Sequence, residues 1–182
     1  MFSIVAVCTG NICRSPQVEY VLRAKLGAAA LSHLVSVSSC GLQGHEGWPA
    51  DRRSDRVATA AGFSLAAHRG RAICDEDLRA GLVLALDAGH LHDLRQLAGG
   101  AHARLLMDFA GVDERGVALR GGVSVVDPYY EDPAVFDTVL AMIIRACDGL
   151  VAALAALQAR DTPQTQWSAC LCGDLKELQQ QK

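Results

Sequence analysis

The chain has 182 residues, 51% hydrophobic and 20% charged, with 17 Lys and Arg against 20 Asp and Glu for a formal net charge of −3. That length and apolar content suit one well-buried core, and the charge balance argues against nucleic acid or an anionic membrane as the main partner, because either selects a concentrated basic surface. Seven cysteines, an odd number on a chain large enough to fold without staples and with no charged-then-apolar leader before Met1-Phe2-Ser3, predict free thiols in a reducing, cytoplasmic setting.

From the N-terminus, FSIVAV reads as a buried first strand, since a continuous β-branched, apolar run suits a strand covered on both faces. It runs into VCTGNICRSP, Val7 to Pro16, where Gly10 and Asn11 predict a tight loop and Pro16 fits the first turn of a helix. Val18, Val21, Leu22 and Leu26 then repeat at helical spacing. Leu34 to Ser39 predicts a second strand, Leu82 to Leu86 a third and Ala103 to Met107 a fourth. Further helices are expected over Asp55 to Ala61, Ala88 to Leu97 and Pro133 to Ala156, the last with Val135, Val139, Ile143, Leu150 and Leu154 on one face. LAGGAH and LRGGVSVVDPYYEDP read as loops. Short β-branched runs alternating with helical stretches predict an α/β fold, three layers α/β/α around a four-stranded parallel sheet.

The pattern places one domain over residues 1–157. From Gln158 the glutamine-rich stretch, broken by Pro163, reads as a polar tail, 158–182, outside the main fold. The longest apolar stretch, around Val139 to Leu157, contains Arg145 and Asp148, so no membrane span is expected.

The chemistry concentrates in the opening loop. A strand ending at Cys8 and a helix starting near Ser15 aim several backbone N–H groups at one point above the sulfur, a concavity that binds an anion. A sulfur facing a helix N-terminus and a nearby cation is stabilised as thiolate, which makes Cys8 a nucleophile. Arg14 offers a planar fork matching two phosphate oxygens, and the Ser15 hydroxyl can donate to the thiolate. Cysteines at strand ends are usually small buried hydrophobes. The combination with Gly10, Asn11, Arg14, Ser15 and Pro16 is far more specific, and it is not the GxxxxGK[ST] pattern of nucleotide loops. Cys13, five residues on, is placed for a reversible disulfide that shields Cys8 from over-oxidation.

Phosphoryl transfer to sulfur needs an acid to protonate the departing oxygen, worth roughly 10²–10⁴-fold. The candidate is Asp127 in VVDPYYEDP, with Pro128 stiffening the turn and Tyr129 and Tyr130 beside it. An isolated Asp-Pro is ordinarily only a turn starter. Its pairing with the cysteine loop is what marks it as the acid.

Taken together, VCTGNICRSP and DPYY resemble the low-molecular-weight protein tyrosine phosphatases, whose hallmarks are an N-terminal CxGNxCRSP loop and a distant DPYY acid loop. SCGLQGHEGWPAD is similar to the family's SAG…PAD segment, AAHRGR to its HxAR segment and LVLALD to its strand ending in Met-Asp or Leu-Asp, so the likeness spans roughly Phe2 to Leu154. The resemblance implies Cys8 as nucleophile, Arg14 as phosphate clamp, Ser15 as thiolate donor and Asp127 as acid and then base. It implies Thr9, Gly10, Asn11, Ile12, Cys13, His45, Tyr129 and Tyr130 as substrate contacts, with Ser39 and His68 supporting the loop together with Asn11. No metal and no cofactor are implied, and the partner is a phosphotyrosine-containing protein. The short stretch between Gly41 and Pro49 resembles bacterial members associated with tyrosine kinases, which makes such a kinase a candidate substrate.

Ile12 resembles the phosphotyrosine enzymes, whereas phosphoarginine phosphatases carry threonine there. His45 and Trp48 depart from the usual cleft residues, and His90 replaces the asparagine of the family's D-x-x-N. A thiol-dependent arsenate reductase of the same fold needs a cysteine pair past the third strand, and no cysteine occurs between Cys74 and Cys147. Cys170 and Cys172 form a C-x-C, two thiolates that make an incomplete zinc site. A non-catalytic phosphate-binding module is the remaining alternative, and the presence of both Cys8 and Asp127 argues against it.

Overall fold

The structure is a computed structural model that describes residues 1–97, 102–111 and 123–173. The LRGG turn signal at 119–122 and the central AGGA of LAGGAH lie outside the described residues. The elements in chain order are β1 (Phe2–Cys8), α1 (Arg14–Ala28), β2 (Val35–Gly41), α2 (Arg52–Ala60), α3 (Asp75–Leu78), β3 (Leu82–Ala85), α4 (Ala88–Leu97), β4 (Ala103–Leu105), a 3₁₀ turn (Leu106–Ala110), α5 (Val135–Ala159) and α6 (Gln164–Cys172).

All strand pairs are parallel, in the order β2-β1-β3-β4. The period-2 pleat divides each strand between two cores. Phe2, Ile4, Ala6 and Cys8 of β1, with Val35, Val37, Leu82 and Leu84, face a large core under α1, α5 and α6. Val5 and Val7, with Cys40, Val83, Ala85 and Leu105, face a smaller one that includes Leu94 of α4. Both faces are thus covered, the condition under which an all-parallel sheet is stable and its strands read as unbroken apolar runs. The expected three-layer α/β architecture is the one observed.

Several elements differ from the sequence reading: β2 runs on to Gly41, and α2 begins three residues early, at Arg52, where Asp51 caps it. β4 stops at Leu105 because the chain tightens into the 3₁₀ turn, where the Asp108 carboxylate lies 2.9 Å from the buried Arg104 guanidinium. The short α3 had no periodic signal. One difference is a correction: the stretch after Gln158 is not wholly a tail. α5 continues to Ala159, and α6 packs on the sheet with Trp167 fully buried against Phe2, ring centroids 5.5 Å apart. Ser168 Oγ donates to Gly81 O at 2.7 Å and Arg104 Nη1 to Leu171 O at 2.6 Å. A Cβ on Gly81 would come within 2.4 Å of the Phe2 ring, so the close approach under α6 requires glycine there.

α5 is also long and apolar enough, by length and composition, to cross a membrane. Its face of Phe136, Val139, Ile143, Ala146, Cys147, Leu150 and Leu154 is instead buried in the large core, which accounts for its apolar character.

Candidate active site

The chain leaves β1 towards β2 on one side while β3 leads to β4 on the other. The crevice beyond the carboxyl ends of these two neighbouring strands is where an open parallel sheet places a ligand site. Cys8 closes β1 there, and residues 9–13 curl over it before α1 begins at Arg14.

Cys8 Sγ lies 3.0 Å from Ser15 Oγ. Ser15 Oγ already accepts from Asn11 Nδ2 at 2.9 Å, so its single proton points either to the sulfur or to Cys40 O, 3.3 Å away. Towards a Cys8 thiolate, which can only accept, Ser15 is the donor. Asn11 holds the loop from beneath. Its Nδ2 also donates to Ser39 Oγ at 2.9 Å, its Oδ1 accepts Arg71 N–H at 3.0 Å, and its carbonyl lies 2.7 Å from His68 Nε2. Ser39 in turn donates to Glu19, a buried carboxylate paired with Arg23. Burial pushes the His68 imidazole below its ordinary range, which favours the neutral ring.

Arg14 is 3% exposed and held by two carboxylates: Nη1 donates to Asp87 Oδ2 at 2.9 Å and Nη2 to Asp127 Oδ2 at 2.6 Å. Nη1 also donates to Val125 O at 3.2 Å. Val125 N–H donates to Leu86 O at 2.7 Å, which fastens the acid loop to the end of β3, and Asp127 Oδ1 accepts Tyr129 N–H at 3.1 Å. Burial would raise the Asp87 carboxyl, but hydrogen bonds from the His90 ring and backbone, together with Arg14, outweigh it and leave the group well below the usual carboxylate range.

A cleft of about 330 Å³ opens above the sulfur, lined by Cys8, Thr9, Gly10, Ile12, Cys13 and Arg14 at its base. Its walls are Gln43, His45, Trp48, Asp127, Tyr129 and Tyr130. His45 stacks on Trp48 with centroids 4.8 Å apart, and Tyr129 meets Tyr130 edge-on at 4.9 Å. A Cβ on Gly10 would come within 2.8 Å of the His45 ring, so any larger residue there displaces His45 from the cleft wall. The left-handed backbone falls on Asn11, at φ 56°.

The expected substrate contacts all line this cleft except Asn11, also expected to hold the loop, which is fully buried beneath it. Cys8 and Cys13 are both free thiols, and burial, aided by Asp51, pushes the Cys13 thiol up to about 12. Among the described residues no group of three or more His, Cys, Asp and Glu is arranged to hold a metal ion. Sequence reasoning missed Glu19, Gln43, Arg71 and the Asp87 partnership with Arg14. Only Asp87 carried a signal, a carboxylate ending the strand that neighbours β1.

The family described as low molecular weight phosphotyrosine protein phosphatase matches residues 3–160. A low molecular weight protein-tyrosine-phosphatase of Streptomyces coelicolor is 42% identical over 160 residues, 84% of this chain and 93% of the relative. Low molecular weight protein-tyrosine phosphatase A of Mycobacterium tuberculosis is 39% identical over 149 residues, 81% and 88% of the two chains. The crystal structure of the YwlE arginine phosphatase from Geobacillus stearothermophilus superposes with a TM-score of 0.76 at 25% identity, covering 88% of this chain and 97% of that one. With the cysteine loop, its supporting network and the acid loop joined in one cleft, these matches over nearly the whole fold place the chain in the low molecular weight protein tyrosine phosphatase family.

Proposed function

We propose that the chain hydrolyses phosphotyrosine in proteins through a phosphocysteine on Cys8, with Asp127 as general acid and then general base. The observation that supports this best is the convergence on one guanidinium: Arg14 stands beside the Cys8 sulfur at the cleft base and also reaches Asp127 on its wall. A phosphoryl group seated on the loop N–H groups takes the Arg14 fork, exchanging the Nη2 bond to Asp127, whose carboxyl then faces the ester oxygen. The Cys8 thiolate attacks phosphorus and the P–S bond forms as the P–O bond breaks, the Asp127 proton passing to the phenolic oxygen. The Asp127 carboxylate next takes a proton from water, whose oxygen attacks phosphorus. The P–S bond breaks, inorganic phosphate leaves, and the Ser15 hydroxyl stabilises the returning thiolate. Tyr129, Tyr130, Trp48 and His45 form an aromatic wall suited to a phenyl ring.

Hydrolysis of p-nitrophenyl phosphate tests the reading. Cys8→Ser abolishes turnover, and Asp127→Ala slows esters with poor leaving groups by about 10²-fold or more while good leaving groups suffer far less. Equal slowing across leaving groups removes Asp127 from the acid role.

The likeness to an arginine phosphatase favours a second reading, phosphoarginine, on the same machinery. Ile12, which lines the cleft where that resemblance would carry threonine, supports tyrosine. Rates on matched phosphotyrosine and phosphoarginine peptides separate the two. All seven cysteines are free, which supports the cytoplasm as the working compartment. A tyrosine kinase remains the candidate phosphoprotein substrate.

A further inference from the structure

His90, buried as the third residue of α4, has no place in the chemistry above, yet it joins the two halves of the phosphate site. Its backbone N–H donates to Asp87 Oδ1 at 2.8 Å, and its ring bridges two residues. Nδ1 faces Asp87 Oδ2 at 2.9 Å, a contact that helps hold the Asp87 carboxyl low. Nε2 lies 2.9 Å from Thr9 Oγ1. Thr9 lines the cleft beside Cys8, and Asp87 Oδ2 also receives Arg14 Nη1. An unbroken line therefore runs from the cleft through Thr9, His90 and Asp87 to Arg14.

Threonine has one hydroxyl proton to direct. A carboxylate oxygen 2.9 Å from Nδ1 disfavours a bare lone pair there, so the neutral ring carries its proton on Nδ1 and Nε2 accepts from Thr9. The Thr9 hydroxyl then turns only lone pairs towards the cleft, against the phosphate oxygens. With a second proton on the ring, Nε2–H donates to Thr9 Oγ1 and the hydroxyl proton is released to face the cleft. One proton on His90 thus converts Thr9 from an acceptor into a donor at the phosphate.

Among the described residues, the charged and titratable groups facing this pair are Asp87 at the head of α4, Cys8 in the loop, Arg14 from α1 and, through Arg14, Asp127 from the acid loop. A dianionic phosphoryl group beside Thr9 adds negative charge next to this ring and favours the imidazolium there.

We propose that His90 is a positioning residue for the phosphoryl group: its imidazolium, paired with Asp87, turns the Thr9 hydroxyl into a donor aimed at the bound phosphate. The inference rests on the loop being the phosphate site, as read above. Phosphate binding and proton uptake by His90 must then favour each other by the same factor.

The test measures p-nitrophenyl phosphate turnover and competitive inhibition by inorganic phosphate from pH 5 to 8, in wild type, His90→Asn, Thr9→Val and the double variant. The ionisation of phosphate itself is common to all four proteins. Wild type should gain about tenfold more in phosphate affinity on going to pH 5 than either variant, the worth of one hydrogen bond to a charged acceptor, and the double variant should match the singles. Histidine nitrogen NMR of the wild-type protein gives a readout independent of any substitution: added phosphate should make His90 take up its proton at higher pH. Parallel pH dependences with turnover intact, additive single effects, or a His90 signal indifferent to phosphate would each overturn this inference alone. A wild type with neither turnover nor phosphate inhibition would overturn the phosphatase reading with it.

Discussion

At Asn11 the backbone is left-handed, φ 56°, and both side-chain polar atoms are directed inward, to Ser15, Ser39 and the Arg71 N–H. The residue therefore does two things at once: it tolerates the turn, as asparagine does better than most residues, and it fixes the Ser15 hydroxyl that meets Cys8. These roles can be separated. Asn11→Gly keeps the turn accessible and loses the three side-chain bonds, whereas Asn11→Ala loses the bonds and adds backbone strain. Both should lower kcat/KM for p-nitrophenyl phosphate by about 10²-fold, the scale of a misplaced reacting group, with the alanine variant the less stable to urea. A glycine variant with near-normal turnover would show that the turn alone, and not the bonds, holds the loop. The motif made Asn11 visible in the sequence. By itself it could not show that the side chain points down rather than into the cleft, because Ser39 and Arg71, which bond it there, come from distant segments. Glu19 was illegible for the same reason: on α1 it looks like any surface glutamate, and only the fold buries it against Ser39.

At the scale of elements, strands and long helices were legible because two-sided burial writes them as apolar runs and periodic faces. Asp87 shows the limit: the strand end was readable, but its pairing with Arg14 depends on β1 and β3 being neighbours. α6 was missed because Gln164, Thr165 and Gln166 make its first turn polar and its apolar residues crowd into the last six positions, too short a run to show a helical period. Two quieter signals were present, Pro163 at the helix start and Gly173 in the left-handed conformation after the end, at φ 75°. The element matters more than its composition suggests. Trp167 is fully buried against Phe2, and the Leu171 carbonyl accepts from Nη1 of Arg104, a buried cation also paired with Asp108. Trp167→Ala should cost about 3–5 kcal/mol of stability by chemical denaturation. A loss below about 1 kcal/mol would return this segment to the status of a tail. The cleft lies at the opposite, carboxyl end of β1 from Phe2, so kcat of the folded variant should stay close to that of the wild type.

Over the whole molecule, the groups that hold the phosphate loop also set its response to acid. At Asp51, Asp77 and Asp87 burial acts to raise the carboxyl, and hydrogen bonds from Arg53, Arg71 and His90 respectively overcome it, so all three titrate below the usual range. The unfolded chain protonates these groups first, near pH 4. The stability they contribute is therefore complete above that pH and is lost as pH falls towards the folded values. His68 acts in the same direction but earlier. Its ring is held below the ordinary value of 6.5 mainly by burial, so below about pH 6.5 the unfolded chain takes up a proton that the folded state resists, and stability already declines there. Urea midpoints measured from pH 8 to 3 should be level at first, fall gently below pH 6.5 and fall steeply below pH 4. His68→Gln keeps an N–H donor in reach of the Asn11 carbonyl but cannot titrate, so it should remove the first decline and leave the second. If wild type and His68→Gln declined in parallel between pH 6.5 and 5, the imidazole would have to be accessible to protons in the folded state. Because His68 holds Asn11 and Asn11 holds Ser15, the gentle decline should coincide with loosening of the loop, read as faster amide exchange at residues 9–13 before the sheet responds.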